Sequence, residues 1–103
     1  MAIIYHVTTP AEWKAAKEKN YYESPSLKTE GFIHCSEAGQ VKGVLERYYS
    51  GKTNLLKLVI DTEKLSAPLK YEPAPSINEN FPHIYGPINL NAVVEVVSLK
   101  FEV

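Results

Sequence analysis

The chain has 103 residues, 45% of them hydrophobic and 22% charged, with a formal net charge of −1. That composition fits a single globular domain spanning residues 1–103, with a modest core of its own. Arg47 is the only arginine and the lysines are scattered, so no basic face for nucleic acid is indicated and no nucleic-acid partner is expected. Cys35 stands alone, which excludes an intrachain disulfide. The first residues lack a basic region followed by a long apolar stretch, and no apolar run approaches the roughly 18 residues of a membrane span. A cytoplasmic protein with no membrane partner is the expectation.

Ile3 to Thr8 reads as a first strand, rich in β-branched and aromatic residues. Thr9-Pro10-Ala11-Glu12 reads as a helix start, with Thr9 as cap, Pro10 in the first turn and Glu12 completing a capping box. This helix should run to about Lys19 and bury Trp13 and Ala16. Tyr21 to Thr29 reads as a connection broken by Pro25, and Gly31 to Cys35 as a short buried strand. Ser36 is a candidate cap for a second helix from Glu37 to about Ser50. There Val41, Val44, Leu45 and Tyr48 share one face, and Gly51 supplies the stop.

Leu55 to Asp61 reads as a central strand, and Leu69 to Glu72 as a short one. Pro73 to Pro82 reads as a proline-bearing loop able to act as a flap. His83 to Tyr85 reads as a short strand ended by Gly86-Pro87. Ala92 to Val103 reads as the longest strand, with Val93, Val97, Leu99 and Phe101 on one face. Trp13, Val44, Leu45, Leu58, Ile60, Val94 and Val96 are the positions expected to be buried. Two helices in the first half and strands without intervening helices in the second predict an α+β fold, its sheet mostly antiparallel or mixed.

Three stretches carry polar groups in apolar surroundings. In Tyr5-His6-Val7-Thr8, strand alternation puts His6 and Thr8 on one face and Tyr5 and Val7 on the other. In Gly31-Phe32-Ile33-His34-Cys35-Ser36, His34 and Ser36 share a face, and Ser36 would also head a helix whose N–H groups attract anions. In Phe81-Pro82-His83-Ile84-Tyr85-Gly86-Pro87, His83 and Tyr85 share a face. The expectation is that His6, His34 and His83 converge on one cleft. Each also has a plainer reading, as a partly buried strand histidine, a helix cap or a packed tyrosine. His6, His34, His83 and Cys35 show no zinc-type spacing, so no metal is assigned. Cys35 faces away from His34 and reads as a small core residue. Glu72 and Glu95 are candidate catalytic carboxylates or solvent-facing strand positions.

The three stretches, together with Leu58-Val59-Ile60-Asp61, resemble the DUF952 family of bacterial and plant proteins of unknown function. That family is in turn distantly similar to the ADP-ribosyltransferase superfamily. The likeness implies a compact split-sheet α+β fold with a cleft for NAD as substrate. It implies that His6 and Thr8 contact a ribose, that Tyr85 or Tyr48 stacks on nicotinamide, and that Glu72 supports a ribosyl cation. The chain has no Glu-x-Glu or Gln-x-Glu pair, which departs from protein-modifying transferases. On this view His6, His34 and Glu72 are catalytic, and Thr8, Ser36, His83 and Tyr85 bind ligand. The activity implied is binding of a nucleotide or ADP-ribose, with action on the N-glycosidic bond of NAD. The alternative is a non-catalytic ligand-binding or homodimerisation module.

Overall fold

The computed structural model describes residues 2–74 and 77–99. Strand β1 (Ile3–Thr8) leads into helix α1 (Pro10–Lys19), which begins as expected: the Thr9 side chain accepts from the Glu12 N–H and Pro10 lies in the first turn. Asn20, in the left-handed region at φ 71°, ends it and passes the chain to β2 (Tyr21–Tyr22). The presumed connection holds a short helix, α2 (Pro25–Thr29), so the first half carries three helices rather than two. Pro25 starts this helix instead of breaking structure, since a proline at the first helical position forfeits no intrahelical bond.

After β3 (Ile33–His34) comes a single 3-10 turn, Ala38–Gln40, and then α3 (Val41–Tyr48). Glu37, not Ser36, caps this segment, through a reciprocal pair with Gln40. Strand β4 (Leu55–Asp61) spans the residues expected of it. The expected flap is mostly strand. Residues β5 (Leu69–Ala74) and β6 (Glu79–Ile84) form an antiparallel hairpin. Pro73 is tolerated because β5 lies at the edge of its sheet. The chain closes with β7 (Ile88–Asn89) and β8 (Val93–Leu99). Phe101, expected on the last strand, lies outside the described residues.

All strand pairs are antiparallel, in an α+β arrangement. One sheet runs β1-β4-β8, another β3-β6-β5, and β2 pairs with β7. The two three-stranded sheets meet at a single backbone bridge, where Tyr5 and Ser36 exchange N–H···O bonds of 2.8 and 2.7 Å. Strand β1 is covered on both faces. Ile4, Leu58 and Ile60 pack with Ala16, Tyr22, Ile33, Ile84 and Ile88, while Val7 and Leu55 pack with Val41 of α3.

The burial expectations divide along this plan. Leu58 and Ile60 are fully buried, and Trp13, Val44 and Leu45 are half-buried. Val94 and Val96 are exposed, at 45% and 38%. Strand β8 lies at a sheet edge, and its register shifts between Val59 and Ile60, whose partners are Glu95 and Val93. That bulge inverts the alternation. Val93 therefore joins the Ile60 side of the sheet and Leu99 the Val7 side, instead of sharing one face. Among the described residues no helix is long and apolar enough to cross a membrane.

Candidate functional site

Residues paired across an antiparallel ladder share a face, and here that rule assembles the site. His34 on β3 stands opposite His83 on β6, and His83 stands opposite Lys70 on β5. Alternation then puts Phe32, Phe81, Glu72 and Tyr85 on the same side, while Ile33, Cys35 and Ile84 turn into the core. Phe32 lies at the centre of the group. Its ring stacks on His83 at 4.1 Å and 19° and meets His34 edge-on at 4.8 Å. The two imidazoles are 5.2 Å apart, centroid to centroid.

Each of these histidines is oriented by a carboxylate. A carboxylate only accepts, so His83 Nδ1–H donates to Glu72 Oε1 at 2.7 Å and His34 Nε2–H donates to Glu30 Oε2 at 3.0 Å. In the neutral rings this leaves His83 Nε2 and His34 Nδ1 as bare acceptors, without a partner among the described residues. Tyr85 also donates a short bond to Glu72. The bonds from Tyr85 and His83 hold the Glu72 carboxyl below the usual range, and the bond to Glu72 raises the Tyr85 phenol.

His6 occupies a different environment. Its face of β1 looks into the core, and only 7% of the residue is exposed. His34 O lies 2.5 Å from Nδ1, and the Tyr22 hydroxyl lies 2.7 Å from Nε2. A carbonyl only accepts, so Nδ1 carries the proton, and in the neutral ring Nε2 accepts from Tyr22. Thr8 Oγ1 lies 2.9 Å from the Tyr22 oxygen and 3.2 Å from Glu12, and its single hydrogen serves one of the two. Burial pushes the His6 pKa down to about 4, against a smaller opposing pull from the His34 carbonyl. Burial raises the Tyr22 phenol and the Cys35 thiol. Cys35 is thus a protonated core residue, in keeping with its expected role.

All three histidines line one cleft of about 640 Å³, with Glu30, Phe32, Cys35, Ser36, Val44, Tyr48, Tyr49, Phe81 and the start of the β5–β6 turn. That size suits a small organic molecule. Gln40 ties the 3-10 turn to β6 by donating to Asn80 O at 2.8 Å. Of the residues picked from sequence, His6, His34, His83 and Ser36 line the cleft, and Glu72 and Tyr85 stand behind His83. Thr8 is buried and does not line it. Ser36 offers no helix N-terminus, because its N–H is spent on Tyr5 O. Glu95 is exposed on β8, outside the group. Sequence reasoning missed Phe32, Glu30 and Tyr22. The parity of Phe32 with His34 was available as a signal. Glu30, four residues before His34, had none, since no helix links the two. Among the described residues no cluster of three potential metal ligands occurs.

Apart from His6, the arrangement lies within a segment that a family model covers. Residues 7–96 match DUF952, described as a protein of unknown function. The chain belongs to the DUF952 family. Protein CC0527 from Caulobacter crescentus has a similar crystal structure, at 31% identity and TM-score 0.89, covering 98% of this chain and 89% of that one. Its solution NMR structure is similar at 32% identity and TM-score 0.83, with 99% and 88% covered. No curated protein matches the chain.

Proposed function

We propose that this DUF952 cleft binds a small ring-bearing organic molecule and transfers protons on it. His83 is the general base or acid, and His34 the second proton-transfer group. The observation that carries this reading is the Glu72–His83 pair, whose 2.7 Å bond fixes the tautomer and leaves Nε2 without a partner among the described residues, beside a second oriented imidazole. A carboxylate that holds one ring nitrogen and frees the other for chemistry is the logic of histidine bases in many enzymes. Phe32, Phe81 and Tyr48 supply flat walls for a ring.

Action on the N-glycosidic bond of a nucleoside or of NAD is a narrower form of this proposal. Glu72, the carboxylate assigned to such a cation, stands behind His83 and does not line the cleft. Against the full dinucleotide, no lysine or arginine among the described residues lines the cleft to receive a pyrophosphate, and Thr8 is not available to a ribose. The broader class is therefore the reading adopted.

The test is a screen of nucleosides, NAD, ADP-ribose and small aromatic compounds, read from the imidazole Cε1–H signals of His34 and His83. A ligand is expected to move both signals together. Where it is turned over, His83→Asn should slow the reaction about 100- to 10,000-fold while leaving affinity within a few fold. Turnover unchanged in His83→Asn would remove the acid–base role.

A further inference from the structure

The donors and acceptors of the cleft are unevenly spent. His34 Nε2–H is used on Glu30, His83 Nδ1–H on Glu72, and the Nδ1 of His6 on the His34 carbonyl. Backbone donors are used as well: the N–H of Cys35 goes to Pro82 O, that of Ser36 to Tyr5 O and that of Glu37 to Gln40. What remains toward the cavity is mostly electron-rich. It comprises the two bare imidazole nitrogens, the Glu30 carboxylate and the π faces of Phe32, Phe81, Tyr48 and Tyr49. The hydroxyls of Ser36 and Tyr48 are neutral and can turn either way.

Formal charge agrees. Glu30 is the only charged side chain among the described lining residues. Glu72 stands behind His83, and the charge of Glu12 acts on His6 and on Tyr49. Among the described residues three cations lie around the cavity, and each sits over a tyrosine ring instead of lining it: Arg47 at 5.8 Å from the Tyr48 centroid, Lys57 at 5.0 Å from that of Tyr5 and Lys70 at 5.0 Å from that of Tyr85. Among the described residues a phosphate or carboxylate would find no lining lysine or arginine and few free donors.

Resting on the reading of this cleft as a ligand site, we infer that its ligand is an organic cation bearing N–H donors, a protonated amine on an aromatic or apolar body. The ammonium would donate to Glu30 and to the open imidazole nitrogens, and its body would pack on Phe32, Phe81 and Tyr48. A cation over aromatic faces gains further attraction in a partly desolvated site.

Three probes of nearly equal shape separate the possibilities: 2-phenylethylamine, 2-phenylethanol and phenylacetate. They are titrated at neutral pH while the His34 and His83 signals are followed. The amine is expected to bind about 10-fold more tightly than the alcohol, and phenylacetate more weakly than either. Glu30→Gln, a change at an exposed side chain, should bring the amine's affinity down to about that of the alcohol measured in the same variant. Benzyltrimethylammonium, a cation without N–H groups, should fall between amine and alcohol. Phenylacetate binding as well as the amine would overturn the inference. So would an alcohol equal to the amine, although signals that moved with the alcohol would leave the ligand-site reading standing. No movement with any probe at millimolar concentration would count against both.

Discussion

Replacing His6 by glutamine should change how stability depends on pH. In the folded protein burial keeps the ring neutral down to about pH 4, whereas its ordinary value is 6.5. Between those values the unfolded chain binds the additional proton, so stability falls as pH drops from 6.5 toward 4. Below that window both states are protonated and the loss levels off. A difference of about 2.5 units at 1.36 kcal/mol per unit gives roughly 3 kcal/mol. Glutamine offers an N–H₂ for the His34 carbonyl and an oxygen for the Tyr22 hydroxyl, but it does not titrate. At neutral pH the variant should be less stable by about 1–3 kcal/mol, from poorer hydrogen-bond geometry at a buried site. Toward pH 4 that deficit should shrink to nothing or reverse. Urea unfolding of both proteins at several pH values reads this directly, because every other titrating group is common to the two and cancels in the difference. Parallel stability profiles would refute the assignment of His6 as a buried neutral histidine.

Two further expectations concern the frame that holds the site. Leu58, on β4 opposite His6 of β1, is fully buried, so Leu58→Ala should cost about 2–5 kcal/mol in equilibrium unfolding. A loss below 1 kcal/mol would mean that the core relaxes into the space. Thr9→Ala removes the oxygen that accepts the Glu12 N–H at 3.2 Å, and should cost about 1 kcal/mol with little change at the cleft. An unchanged midpoint would show that Thr8 or solvent replaces the cap.

Local rules made parts of the fold legible. The capping box at Thr9, the boundaries of β4 and the alternation in β1 all depend on neighbours a few residues apart. What escaped depended on distant partners. Alternation placed His6 and Thr8 on one face of β1, but it gives no sign of which face meets solvent. In this fold both faces are covered, so the polar pair became a buried network with Tyr22. The β8 register shift is likewise invisible in a run of valines, where either parity looks apolar. Ser36 has the residue type of a cap, yet its N–H was needed to join two sheets. Pro73 and Pro82 suggested a loop, while β5 lies at an edge where a missing donor costs little.

The junction between the sheets explains why the three histidines act differently although each sits in an apolar strand. One backbone bridge, Tyr5–Ser36, links β1 to the segment that follows β3. Beside it, where a second main-chain bond would continue the ladder, the His6 side chain supplies the donor to the His34 carbonyl. His6 thereby positions the strand that carries His34, and its own nitrogens are unavailable for chemistry. His34 and His83, partners on one rung of the other sheet, have no such duty. Their carboxylates hold one nitrogen each and leave the other bare. The labour divides because β1 is sandwiched between two packed layers, whereas β3 and β6 are covered on the Ile33–Ile84 side alone. A ligand can reach the His34–His83 face, and the burial that lowers the His6 pKa is the same packing that keeps β3 in register with it.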